Sequence, residues 1–353
     1  MHRRSANVIA RIAGAGLLFG LAASAMAGAQ SAPEKMAVLQ QWKLGGDGGW
    51  DYLSLDSSGR RLFVSRGTHV DVVATDSGKI IGSIPDTGGV HGIALAEDLK
   101  RGYTSNGKAD SITVFDLDSL KVIQELKIPA HNPDAILYEP TGKHVFTFNG
   151  KSKDVTVIDA AQLTVVATFP VPDKPEFAVD DGAGQVYVNI ESEPGQMVVI
   201  DSRTLKIKAT WTLTGCNSPS GLAIDKTDQR LFSVCDDKVM AITDARTGKQ
   251  VAHMAIGEGP DAAAYDATRK LVLSSNGEGT LTVVKQESAD AYRVAETVKT
   301  RLGARTMALD PASGKIYLAT ADFGPPPPAT AQRPHPRPIA VPGSFTLLVV
   351  GTR

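Results

Sequence analysis

The chain is short of the features that announce most chemistries. It has two cysteines, 6 % aromatic residues and 37 basic against 38 acidic side chains. No G-x-S-x-G elbow, H-E-x-x-H pair, C-x-x-C-H haem attachment or phosphate-binding P-loop occurs in it. The mixed, near-neutral charge gives no electrostatic footing for nucleic acid or anionic lipid. After the first residues no apolar run is long enough to span a bilayer.

The N-terminus reads as a targeting segment. Arg3, Arg4 and Arg11 precede an apolar run from Ile12 to Ala27 that ends Ala25-Met26-Ala27. A basic start, a short apolar core and an A-x-A site predict a secretory signal peptide over 1–27, with no membrane span after its cleavage. Removing it removes three arginines and no acid, leaving a slight acidic excess. Export places Cys216 and Cys235 in an oxidising compartment, where an even count points to a disulfide. Two separate thiols, with Cys235 packed in its strand, are the alternative.

What the chain does have is a repeat. An acidic residue, a polar turn and a large apolar residue seven positions on recur as Asp56/Phe63, Glu139/Phe146, Asp225/Phe232, Asp266/Leu273 and Asp310/Tyr317. Asp181 leads to Tyr187 one residue sooner, and Ala96 to Tyr103 without the acid. The period of about 42 residues, with four short strands in each, is that of propeller blades. The reading is an all-β, seven-bladed β-propeller of four-stranded antiparallel blades over 37–353. The last repeat lacks a fourth strand, and residues 37–44 read as a strand without a partner. The N-terminal strand is therefore expected to complete blade seven and close the ring. A proline-rich loop, 324–342, lies inside blade seven and reads as a surface excursion or as a lid or docking segment with Phe323, Arg333, His335 and Arg337 as contacts.

Two alignment columns should meet at one mouth of the channel. The first, just ahead of each innermost strand, reads Asp51, His91, Asp134, Glu176, Ser220, Asp261 and Arg305. The second, at the end of each second strand, includes Arg66, Asn106, Asn149 and Asn276. Clustered carboxylates must be protonated, paired with arginine or bound to a cation. An Asp/Glu/Asn set suits calcium, and His91 admits zinc. A solvated polar mouth is the bland alternative. Trp50 is expected to pack between blades or wall the mouth, and His131 lies near the same face.

The repeat residues carry a resemblance. Tyr103-Thr104-Ser105-Asn106-Gly107 is followed by Ile112-Thr113-Val114-Phe115-Asp116, and Phe146-Thr147-Phe148-Asn149-Gly150 by Val155-Thr156-Val157-Ile158-Asp159. In these the chain resembles the YncE-like, YVTN-repeat family of exported bacterial propellers, over about 45–353. The resemblance implies a periplasmic or secreted propeller. Wider relatives include seven-bladed lactonases and calcium-dependent, gluconolactonase-like six-bladed enzymes, the latter holding a cation in the channel.

The expected function is a monomeric periplasmic or secreted propeller that binds a small ligand, a metal ion or a partner protein at the channel mouth, without chemistry of its own. Nucleic acid is not an expected partner. The alternative is a lactonase-like, metal-dependent hydrolase or lyase. In it Asp51, Asp134, Glu176 and Asp261 would hold calcium or zinc, and His91 would serve as acid–base. A third reading is an interaction platform built on the proline-rich loop.

Overall fold

A computed structural model describes residues 35–46, 48–330 and 338–353. The expected signal peptide, and Arg333, His335 and Arg337 of the proline-rich loop, lie outside the described residues. Among the described residues, 28 strands form seven four-stranded antiparallel sheets. The innermost strands are Leu53–Leu55, Val90–Ala96, Pro133–Glu139, Lys174–Asp180, Pro219–Asp225, Pro260–Asp266 and Thr306–Leu309, each beside the next around a ring. The chain is an all-β seven-bladed propeller, and no helix among the described residues is long and apolar enough to cross a membrane.

The ring closes as the sequence predicts. Met36–Lys43 pairs antiparallel with Thr346–Thr352 as the outermost strand of blade seven, Met36 opposite Thr352 and Lys43 opposite Thr346. One sheet thus joins both ends of the folded chain, and no blade is left with an unpaired terminal strand.

The repeat pattern has a physical cause. The aromatics of the pattern, Phe63, Tyr103, Phe146, Tyr187, Phe232 and Tyr317, are buried between neighbouring sheets. Burying each contributes about 1.5–3 kcal/mol. The acids before them cap the turn between first and second strands. Glu139 accepts the amides of Thr141 (2.9 Å) and Gly142 (2.7 Å), and Asp225 those of Thr227 (3.0 Å) and Asp228 (3.2 Å). Asp159 and Asp201 cap the turns between third and fourth strands in the same way. These side chains occupy backbone donors that a tight turn would leave without partners.

The strand-end asparagines do not line the mouth, contrary to the expectation that they join the ligand site. All three are fully buried, and each clips its second strand to the third. Asn106 Nδ2 donates to Thr113 Oγ1 (2.9 Å), Asn149 Nδ2 to Thr156 Oγ1 (3.1 Å) and Asn276 Nδ2 to Thr282 Oγ1 (3.0 Å). The Asn and Thr of the repeat signature are therefore one hydrogen-bonded pair. Arg66 is likewise buried. It pairs with Asp71 (3.1 Å), donates to the Gly45 carbonyl (3.1 Å) and lies 3.9 Å over the Phe345 ring.

Cys216 and Cys235 form a disulfide, with their Cα atoms 5.4 Å apart. Pro219 stands opposite Cys235, and the Cys216 amide donates to the Leu213 carbonyl (3.3 Å). That turn folds the loop back toward the strand.

Candidate functional site

In blades two to six the innermost strand breaks register at its start. The irregularities fall at 90–93, 133–136, 175–178, 219–222 and 260–262. A bulge re-aims one side chain without ending the strand. His91, Asp134, Glu176, Ser220 and Asp261 all sit within these irregularities, so the first column of the sequence does gather at one mouth. Polar residues of the second strands hold the bulged backbone. Ser105 Oγ accepts the Gly92 amide (2.8 Å) and donates to the Asp134 carbonyl, while Asn189 Nδ2 donates to the carbonyls of Ser220 (2.9 Å) and Gly221 (3.1 Å).

The next position along reads Tyr52, Gly92, Ala135, Phe177, Gly221, Ala262 and Thr306. Small residues here let adjacent innermost strands approach. A Cβ on Gly221 would stand 2.6 Å from the Asp261 carbonyl oxygen, and one on Gly92 2.8 Å from Ile136. The two aromatics break this run on opposite sides of the ring, in blades one and four. Their rings stack across the channel, centroids 5.5 Å apart and 16° from parallel. Tyr52 and Phe177 went unread in the sequence. Their departure from an otherwise small-residue column was the available signal.

Above this stack the ring resolves into three charge groups. His91 Nδ1 lies 2.6 Å from Asp51 Oδ2 and 3.6 Å from Asp134 Oδ1. Its Nε2 faces the Asn132 side-chain amide at 3.5 Å. Glu176 pairs with Lys174 (2.8 Å), which also reaches Glu191 (2.5 Å). Asp261 lies 3.5 Å from Arg305. Among the described residues, Asp51, His91 and Asp134 are the set whose ligand atoms all lie within 4.8 Å of one another. The structure thus separates Glu176 and Asp261 from the four-carboxylate set expected from sequence, and brings His91 in as a donor. Ser220 donates to the Pro260 carbonyl (3.1 Å), and His131 turns away to Asp110 (2.9 Å). Trp50 both packs and lines the mouth: its ring sits 5.1 Å from Phe345 and 6.2 Å from Phe323.

The electrostatics are those of negative charge crowded out of water. Burial, opposed by His91 and aided by the Asp51 charge, pushes Asp134 up to about 6. Burial and the Asp134 charge push Glu176 up to about 8, although Lys174 pulls the other way. Burial works against the His91 imidazolium, but the Asp51 hydrogen bond and the Asp134 charge outweigh it and raise its pKa. Burial and then the charges of Asp134, Glu176, Asp51 and Asp261 raise the Tyr52 phenol well above its ordinary value. The phenol thus sits in the combined field of all four carboxylates. Such a site favours any cation that can replace the proton on His91.

No family model matches the chain, and no curated protein matches it. Its fold is similar to solved propellers. A structure of U3-55K matches with a TM-score of 0.72 at 11 % identity, covering 89 % of this chain and 98 % of that one. The WD40 repeats of RRP9 match with a TM-score of 0.73 at 10 % identity over 90 % and 97 %. Hydrazine synthase of Kuenenia stuttgartiensis matches with a TM-score of 0.68 at 16 % identity over 83 % and 96 %. At these identities the likeness is one of fold, and a propeller is a scaffold on which many binding surfaces are built.

Proposed function

We propose that this chain is an exported, YncE-like propeller that binds a divalent transition-metal ion at its channel mouth. The observation that carries the reading is the Asp51–His91–Asp134 set, three ligand atoms within 4.8 Å of one another. One imidazole nitrogen and two carboxylate oxygens fit zinc or a neighbouring transition ion, with a position left for water or ligand. Calcium would want six to eight oxygens, which this set does not supply. The leader-like N-terminus and the disulfide support export.

Calorimetric titration of chelator-stripped protein tests the reading. Zinc should bind at one ion per chain, with calcium far weaker. Zinc affinity should fall between pH 8 and pH 6, because the ion competes with the proton on His91. Undiminished zinc binding by an Asp51→Asn/His91→Gln variant would sink the proposal.

Glu176 favours a second, hydrolytic reading. Its carboxyl, pushed up to about 8, stays protonated near neutrality at the edge of the cluster. If His91 Nδ1 holds the ion, Glu176 replaces His91 as the group able to carry a proton. Zinc-dependent opening of a simple lactone that is lost in Glu176→Gln would establish this reading, and its absence would leave a binding protein.

A further inference from the structure

A second cavity of about 420 Å³ opens on the mouth face beside the cation set. Gly49, Trp50, Leu302, Arg305, Phe323 and Ala340 line it. Its size is that of a small-molecule site. Its walls are fixed by hydrogen bonds and packing. Phe323 and Ala340 face each other in an antiparallel bridge, flanked by bonds from the Gly324 amide to Ile339 (2.9 Å) and from the Val341 amide to Asp322 (2.7 Å). Trp50 packs on Phe323 from the other side. Gly303 is required behind that ring, since a Cβ there would lie 2.6 Å from it. At Gly49 a Cβ would meet nothing within 4 Å among the described residues.

Among the described residues the lining side chains are apolar except at one charged point. Arg305 brings a guanidinium that is 36 % exposed, with one nitrogen 3.5 Å from Asp261. A guanidinium carries five N–H donors in a planar fork that matches a carboxylate. A single long contact to Asp261 leaves donors able to turn to a ligand. Leu302, 58 % exposed, extends the apolar wall to the rim.

We propose that this cleft binds a small organic acid with a flat apolar body. The ring would lie against Trp50 and Phe323, and the carboxylate on Arg305. Among the described residues Arg305 is the one cation of the cleft, so a neutral apolar molecule would leave it unused, and a highly polar one would strand the aromatic walls. The cleft contains none of the three cation ligands and therefore stands or falls apart from the cation site. It adjoins that site, because Trp50 and Asp51 are consecutive.

The test titrates 3-phenylpropionate and its neutral amide, 3-phenylpropanamide, into metal-free protein, read by calorimetry and by tryptophan fluorescence. The acid should bind at least tenfold more tightly than the amide. Arg305→Gln should erase that preference while amide binding persists. Leu302→Glu, a change at an exposed rim position that folding tolerates, should weaken the acid by severalfold and the amide little. Saturable binding of neither compound up to millimolar concentration overturns the proposal. So does equal affinity for both, and so does an acid preference that survives Arg305→Gln. If Arg305→Gln fails to fold, undiminished acid binding by Leu302→Glu is the overturning result.

Discussion

The propeller has two faces, and its carboxylates behave oppositely on them. On the turn face, Asp56, Glu139 and Asp225 are almost wholly buried, yet all three are held below their ordinary pKa. On the mouth face, Asp134 and Glu176 are less completely covered, yet both are raised. Burial pushes all five upward. The mouth pair lie deeper within the protein although their surfaces are less covered, so burial acts on them more strongly, and the donors widen the difference. Glu139 receives two backbone amides and Asp56 Oδ1 the amides of Arg60 (2.9 Å) and Arg61 (3.2 Å). The mouth carboxylates instead repel their carboxylate neighbours, with His91 and Lys174 as partial compensation. Amides that a turn must satisfy make a carboxylate structural. Charges without such amides remain available to a ligand.

The largest expected effect breaks the turn side of this comparison. Glu139→Ala leaves two amides of a tight turn without their acceptor and should cost about 3 kcal/mol, at about 1–3 kcal/mol for each buried polar group left unsatisfied. Glu176→Gln on the mouth face should cost nothing at pH 7. Urea denaturation of the two variants measures both, and equal losses would erase the distinction between the faces. The next effect is on binding. Asp51→Asn/Asp134→Asn should lower zinc affinity at least 100-fold, about 2.8 kcal/mol at about 1.4 kcal/mol per tenfold. Its melting temperature should stay near that of the parent, because neither side chain caps a turn. A variant that loses zinc only by losing its fold would make the mouth structural after all. Asn276→Ala should do the reverse, costing about 1–2 kcal/mol through the orphaned Thr282 hydroxyl while zinc titration is unchanged.

The turn face was the legible one. The spacing of Glu139 to Phe146 or Asp225 to Phe232 repeats because all blades but the second use an acidic cap there and each buries a large apolar residue, so period alone exposes the fold. The unpaired strand at 37–44 announced the ring closure for the same reason. The mouth could be read only as a column. Which of its members meet depends on the bulges at the strand starts, and a bulge is set by tertiary pairing that single-sequence periodicity does not encode. Hence Glu176 and Asp261 were grouped with Asp51 and Asp134, although Lys174 and Arg305 hold them apart. The asparagines were misplaced because a buried side-chain pair and an exposed ligand use the same polar residue. Only the Thr seven positions after Asn106 and Asn149, or six after Asn276, hinted at a partner inside the blade.

The smallest effect is the most diagnostic, because the two faces should bend the pH dependence of stability in opposite senses. A carboxyl whose folded pKa is lowered binds fewer protons folded than unfolded, so it stabilises above its unfolded pKa. For Asp56, Glu139 and Asp225 that contribution is lost as pH falls through the folded values, in the acid range. Glu176 is raised from an ordinary 4.5 to about 8 and so holds its proton more tightly when folded. Its contribution is present below about pH 4.5 and is lost as pH rises toward about 8. His91, also raised, loses its contribution as pH climbs through its own folded pKa. Glu176→Gln removes a group that titrates and keeps one that hydrogen-bonds. The variant should therefore melt above the parent at pH 8, by about 1–2 °C for each kcal/mol gained in a chain of this size, and alongside it at pH 4. Thermal melts of metal-free protein across that range decide the matter. A gain at pH 4, or none at pH 8, would mean that Glu176 is satisfied in place like the turn acids, and that the mouth holds no surplus negative charge for a cation to answer.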